Sequence, residues 1–140
     1  DYELVDLIFL LNLFDGIETE SSCFGHGRYP CWIWFYADNI EHLAKFSMEV
    51  VGWDKNWSIR LATYSIAEHP EDNGKRLPCI LDSCEKDEKC NSYMVSDLVN
   101  HLRLYFNYND IFKLRDDEKE FYKKYSKYWK KNEKGEDILV

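Results

Sequence analysis

Cys31-Trp32-Ile33-Trp34-Phe35-Tyr36 is the most strand-like segment of the chain, because nearly every residue is aromatic, β-branched or otherwise apolar. A strand with two apolar faces is typical of the centre of a sheet, so we expect a central strand here. Weaker strand patterns lie on either side of it, at residues 17–23, 57–65 and 77–81. The sequence therefore predicts a sheet of about four strands built around residues 31–36.

Helices are predicted before, between and after these strands, at residues 3–14, 39–51 and 92–105. We expect Asp38 to cap the second helix, with Glu41 completing a capping box. The predicted order is αββαββα, and the strands of each pair are close in sequence. This order favours an antiparallel or mixed sheet with helices packed on it, which is the α+β class.

The composition changes after Phe112. Residues 113–134 carry nine basic and five acidic side chains, and Phe121, Tyr125 and Trp129 recur at helical spacing. The pattern predicts a C-terminal helix whose aromatic stripe packs on the core or on a second subunit. We expect an α+β ligand-binding core over residues 1–112 and a helical extension over 113–140.

The composition limits the kinds of partner that the chain binds. The 140 residues suffice for one core, and the net charge of −8 argues against a broad nucleic-acid or anionic-membrane surface. The apolar run at residues 4–14 is too short to cross a bilayer and lacks the cationic flank of a signal peptide. We therefore expect a cytoplasmic protein. Aromatic residues make up 16% of the chain, a surplus that predicts a homo-oligomer.

Five cysteines are an odd number, and we expect all of them to be reduced and free of metal. The alternative is a zinc site built from Cys23 and His26 with two of the remaining cysteines. Those candidates are Cys79, Cys84 and Cys90, whose spacing is looser than that of paired zinc ligands.

Residues 21–28, Ser-Ser-Cys-Phe-Gly-His-Gly-Arg, combine hydroxyl, thiol, imidazole and guanidinium groups in one glycine-containing turn. Gly25 and Gly27 permit positive φ and can present successive N–H groups to an anion, while Arg28 offers a bidentate donor for phosphate. A plain hairpin turn explains the same glycines. A nucleophilic Cys23 with His26 as its base is a further alternative.

The same segment resembles small phage and prophage proteins that carry a GIxTxxSCxGHGxxP signature, matched here by residues 16–30. The resemblance extends over roughly residues 4–105. We take the set to include or neighbour the phage anti-Thoeris proteins, which capture cyclic ADP-ribose isomers. It implies sequestration of a signalling nucleotide rather than catalysis.

A more distant similarity is to the tRNA wybutosine-synthesising methyltransferase family, in which a leucine-rich helix precedes a TxSSCxGR strand. This chain has His26 where that family has arginine, and it lacks the long basic remainder of a tRNA enzyme. The two resemblances place a ligand at the same Ser-Cys-x-Gly segment.

We therefore expect a non-enzymatic protein that binds a small, cyclic signalling nucleotide without a cofactor or a metal. The expected ligand-binding residues are Ser21, Ser22, Cys23, Gly25, His26, Gly27, Arg28, Trp32, Arg60, Tyr64 and Arg103. Two alternatives stay open: an acidic inhibitor that blocks a host enzyme, and a tRNA-modifying methyltransferase-like protein.

Overall fold

A computed structural model of the chain describes residues 1–52, 56–63, 76–106, 129–131, 133–135 and 137–139. After a 3₁₀ turn at Tyr2–Leu4, the helices are α1 (Val5–Leu11), α2 (Ile40–Val50) and α3 (Glu88–Tyr105). The strands are β1 (Ile17–Cys23), β2 (Trp32–Ala37), β3 (Ser58–Leu61), β4 (Leu77–Asp82), β5 (Trp129–Lys131) and β6 (Asp137–Leu139). The predicted α+β class and the predicted order of these first seven helices and strands are confirmed.

The main sheet has four strands in the order β1-β2-β4-β3, and all neighbouring strands are antiparallel. The sheet is therefore antiparallel rather than mixed. β2 lies inside it, between β1 and β4, as the apolar residues on both of its faces predict. A bulge interrupts the pairing of β1 with β2, where Glu20 is the extra residue between Thr19 and Ser21.

The core lies between one face of this sheet and the three helices. Ile33 and Phe35 of β2 and Leu81 of β4 are fully buried on that face. Phe35 packs against Phe46 of α2, with the ring centroids 4.8 Å apart. The helices contribute the other large buried side chains: Leu4, Leu7, Phe9, Leu11, Val50, Leu98 and Leu102. One sheet face therefore serves the core, and the aromatic side chains of β2 on the other face are half-buried.

The cap of α2 lies one residue later than predicted. The side chain of Asn39, not Asp38, accepts a hydrogen bond from the backbone N–H of His42 at 2.9 Å. Asp38 lies in the connection between β2 and α2, where its backbone N–H donates to the carbonyl oxygen of Gly16 at 2.8 Å. Both residue types are good caps, so the sequence alone favours neither strongly.

α3 begins at Glu88, four residues earlier than predicted, within a charged segment that the sequence suggests is a connection. Asp87 caps it by accepting from the N–H of Cys90 at 2.9 Å. In contrast, β3 ends at Leu61, although the alternating pattern predicts a strand to residue 65. Residues 64 and 65 lie outside the described part of the chain.

The predicted extension over 113–140 is described only at its end. β5 and β6 pair as an antiparallel two-stranded sheet, so residues 129–131 are strand where the stripe pattern predicts helix. The rest of the predicted C-terminal helix, with Phe121 and Tyr125, and the boundary near residue 112 lie outside the described residues. Across the described ranges, no helix is both long and apolar enough to cross a membrane.

Candidate functional site

The sheet face opposite the helices carries several predicted site residues in two adjacent rows. From β1 to β3, one row consists of Ser21, Trp34, Ile80 and Arg60. The next row consists of Cys23, Trp32, Asp82 and Ser58. Directly opposed residues in a sheet share a face, so these eight side chains lie on one surface. Trp32 and Trp34 are half-buried at its middle. We call this surface the outer face.

The β1–β2 loop, residues 24–31, adjoins the Cys23–Trp32 end of the outer face. Gly25, His26 and Gly27 all have positive φ, at 93°, 52° and 77°. The turn closes because the N–H groups of Arg28 and Tyr29 both donate to the carbonyl oxygen of Gly25, at 3.0 Å and 3.4 Å. The loop therefore holds the exposed side chains of His26 and Arg28 beside the outer face.

Asp1 is the unexpected member of this site. Its Oδ2 accepts from the backbone N–H of Phe24 at 2.7 Å and lies 3.1 Å from Nε2 of His26. The Sγ of Cys23 is within 4.8 Å of the Asp1 and His26 ligand atoms. We call these three residues the Asp1–Cys23–His26 cluster. The sequence offers no signal for Asp1, because it lies more than twenty residues before its partners.

The loop amides are largely engaged within the protein. The N–H of Phe24 donates to Asp1, and that of Gly25 donates to Cys23 Sγ at 3.5 Å. The amides of Arg28 and Tyr29 close the turn. The N–H of Gly25 therefore has a partner inside the protein, and the anion-binding role expected of the glycine-containing turn stays a prediction, with the exposed Arg28 side chain beside it.

The Sγ of Cys23 lies within 4.8 Å of a ring nitrogen of His26, yet the thiol of Cys23 is hydrogen-bonded to a different side chain. Its thiol donates to the Tyr29 hydroxyl at 3.6 Å, and this hydrogen bond raises the pKa of Tyr29 above its ordinary value of 10.0.

Burial raises the pKa of the Cys31 thiol to about 12 and that of the Cys79 thiol to about 11. Those two thiols stay protonated near neutral pH and belong to the core.

The structure forms no disulfide among the five cysteines, all of which belong to its described part. The four-ligand zinc set considered from the sequence is not assembled. Cys79 is buried in the core, and Cys84 contacts Ser58 with its Sγ 3.2 Å from the serine Oγ. Ser58 and Cys23 are at opposite ends of their row, about 14 Å apart at the usual strand spacing. Cys90 lies in the first turn of α3.

The remaining predicted residues separate into three groups. Arg60 is exposed on the outer face, in the row of Ser21. Ser22 is registered with Ile33 and so lies on the face that carries the helices. Arg103 lies on α3, which packs on that same face, so the structure does not bring Ser22 or Arg103 to the outer face. Tyr64 lies outside the described residues.

The outer face also carries a contact that the sequence pattern does not indicate. The guanidinium of Arg76 lies over the ring of Tyr36, 4.1 Å from its centroid, and Nη1 of Arg76 is 3.1 Å from Oε2 of Glu18. Tyr36 thereby extends the aromatic line of Trp32 and Trp34 along β2. An arginine stacked on an aromatic ring is a known type of cation–π contact.

Comparison of the chain with protein-family models, with curated proteins and with solved structures finds no match. The two family resemblances drawn from residues 16–30 therefore stay predictions.

Proposed function

We propose that the protein binds a small phosphate-bearing nucleotide across the outer face and the β1–β2 loop, and that it sequesters this nucleotide without converting it. The observation that carries the proposal is the register, in which Ser21, Trp34 and Arg60 share one row and Trp32 lies in the next, beside the loop with Arg28. Hydroxyl, aromatic and guanidinium groups are the usual partners of ribose, base and phosphate.

The distribution of charge orients the nucleotide. Asp82 is the neighbour of Trp32 on β4, and an anion placed beside its carboxylate would be repelled. Arg28 lies in the loop on the other side of Trp32. The base therefore stacks on Trp32 or Trp34, and the phosphate points towards Arg28, away from Asp82. Arg60, at the other end of the Ser21 row, is the cation for a second phosphate only in a ligand that extends across the sheet to β3.

The sequence resemblance makes the proposal more specific. Proteins with the GIxTxxSCxGHGxxP pattern suggest a cyclic signalling nucleotide, with cyclic ADP-ribose isomers as the first candidates. In this proposal the protein is a cytoplasmic counter-defence protein of phage type that acts as a homo-oligomer. Binding without turnover is consistent with a Cys23 thiol that donates to Tyr29 and not to His26.

Native mass spectrometry and calorimetry test the proposal. The full chain is mixed with cyclic ADP-ribose isomers, ADP-ribose and cyclic dinucleotides, and we expect one of these to be retained unchanged. Arg28→Ala should weaken its binding about tenfold to a hundredfold, because a charge-assisted bond to phosphate contributes about 1.5–3 kcal/mol. Trp32→Ala should weaken binding to a similar degree through lost stacking, which is about 1–3 kcal/mol per base.

Lys45→Ala is the matched control, since Lys45 is an exposed cation on α2, which packs on the other side of the sheet. It should leave the affinity unchanged. The proposal fails if no nucleotide in the panel is retained, or if Arg28→Ala and Lys45→Ala bind alike. Loop variants that still inhibit a host enzyme would favour the acidic inhibitor, and retention of a methyl donor with tRNA would favour the methyltransferase.

A further inference from the structure

The Asp1–Cys23–His26 cluster places three different metal-ligating groups at one point beside the loop. A carboxylate oxygen, a thiol sulfur and an imidazole nitrogen all lie within 4.8 Å of one another. Cys23 and His26 are three residues apart, at the end of β1 and in the β1–β2 loop, whereas Asp1 comes from the segment before α1. The tertiary fold therefore adds the third ligating group to a short Cys-x-x-His motif.

The distances fit a tetrahedral metal ion. Zinc bonds of about 2.0–2.3 Å, arranged tetrahedrally, place oxygen and nitrogen ligands about 3.3 Å apart and sulfur about 3.6 Å from either. Oδ2 of Asp1 and Nε2 of His26 are 3.1 Å apart, which is close to that separation. The thiol is within 4.8 Å of both, so a side-chain adjustment on the order of 1 Å completes the set.

The backbone and a second contact hold these ligands in position. His26 has φ of 52°, a conformation that few non-glycine residues adopt, and glycines with positive φ flank it on both sides. This conformation directs the imidazole towards Asp1. The N–H of Phe24 donates to the Asp1 carboxylate at 2.7 Å, which is the kind of outer contact that orients a carboxylate ligand.

We propose that Asp1, Cys23 and His26 bind one divalent transition-metal ion, with zinc the ion that this donor set favours. Sulfur, nitrogen and oxygen ligands together match zinc better than magnesium or calcium, which prefer oxygen alone. Three protein ligands leave the fourth tetrahedral position for water or another small ligand. Binding converts the Cys23 thiol to a thiolate and releases its proton to solvent, so the net charge of the protein rises by one unit when the dication binds to the thiol form.

This proposal goes beyond nucleotide binding and does not depend on it, because metal alone is the probe. The full chain, stripped with a chelator, is titrated with Co²⁺ and then with Zn²⁺ in competition with a chromophoric chelator. We expect one equivalent of metal per chain and a near-ultraviolet cobalt–thiolate charge-transfer band. Cys23→Ser should abolish the band and weaken zinc binding by more than about tenfold, the lower limit for losing even an outer contact of a metal site.

His26→Asn is the second variant, chosen because asparagine tolerates positive φ. It should weaken zinc binding by at least as much as Cys23→Ser while the cobalt–thiolate band of any residual complex remains. Cys84→Ser is the control, since Cys84 is exposed, has positive φ of 61° and lies outside the cluster. Absence of stoichiometric metal in the wild-type chain would overturn the proposal, as would equal zinc affinities of the wild type, Cys23→Ser and His26→Asn.

Discussion

Gly25 and Gly27 share a left-handed backbone conformation but differ in their surroundings. A Cβ atom on Gly25 would collide with the carbonyl oxygen of Tyr29, whereas a Cβ atom on Gly27 would meet nothing within 4 Å. Gly27→Ala should therefore lower the free energy of unfolding by about 1–2 kcal/mol, the cost of a left-handed L-residue. Gly25→Ala should cost about 1–3 kcal/mol more, the usual cost of overpacking. Urea unfolding of the two variants measures the difference.

Equal losses of stability in the two variants would show that the turn at Gly25 relaxes around the new methyl group. Circular dichroism before unfolding serves as the control that both variants retain the fold. A large loss in Gly27→Ala alone would contradict the arrangement of the loop, because nothing there opposes its Cβ atom except the backbone angle.

At the same scale, the site is predictable from sequence only where its residues are neighbours along the chain. Cys23, His26 and Arg28 are found from the loop composition, because they lie within six residues. Asp1 is not found, since its contact with His26 depends on how the first helix packs on the sheet. Ser22 is adjacent to Ser21 in sequence, yet the alternation of a strand places it on the other face.

Among the helices, α3 depends on an ionisable cap. The backbone N–H of Cys90 donates to Asp87, and this hydrogen bond holds the pKa of the carboxyl below its ordinary value of 3.8. A lowered pKa in the folded state contributes stability above the ordinary value, and that contribution is lost as the pH falls through the folded value. As the pH falls, the wild-type protein should therefore lose the stability that this carboxylate contributes, and Asp87→Asn should show no such loss.

Asparagine keeps the capping oxygen but does not titrate, so the difference between the two proteins isolates this one carboxyl. Urea unfolding midpoints measured from pH 7 to about pH 2 should diverge below about pH 5. Parallel curves across that range would mean that the cap contributes equally in its protonated form.

Helices and strands with a strong apolar pattern are predictable from the sequence. Helix ends that are set by a capping residue are less predictable. The sequence predicts β1 with its observed bounds, and β2 within one residue at each end, because turns bound both segments. It does not predict the start of α3, because the first turn, Glu88 to Asn91, is mostly polar and resembles a loop. Its cap, Asp87, is one of several acidic residues in that segment, and the sequence does not single it out.

For the whole molecule, the aromatic surplus predicts self-association, at least as a dimer. Trp57 does not add to the surplus, since it is 1% exposed within the core. Trp32, Trp34 and Tyr36 are only half-buried, and a second subunit that covers part of such a surface would stabilise it. Sedimentation of the full chain and of a 1–112 truncation tests both the assembly and the role of the tail.

A monomeric full chain at micromolar concentration would contradict self-association. An oligomer that persists after truncation would contradict only the role of residues 113–140.

The order of the strands in the main sheet is not predictable from the sequence. β2 and β4 pair across a long sequence separation, and the apolar patterns of β3 and β4 do not specify which of them lies beside β2.

The bulge at Glu20 also affects how the sheet can grow. Among the described strands β1 lies at an edge of the sheet, and an exposed edge invites another chain to add a strand to it. Glu20 interrupts the regular spacing of the β1 backbone, and Glu18 adds an exposed charge on the same strand. The opposite edge, β3, is only four residues long. Both borders of the described sheet therefore discourage fibril-like extension, so we expect copies of this protein to associate through surfaces other than its strand edges.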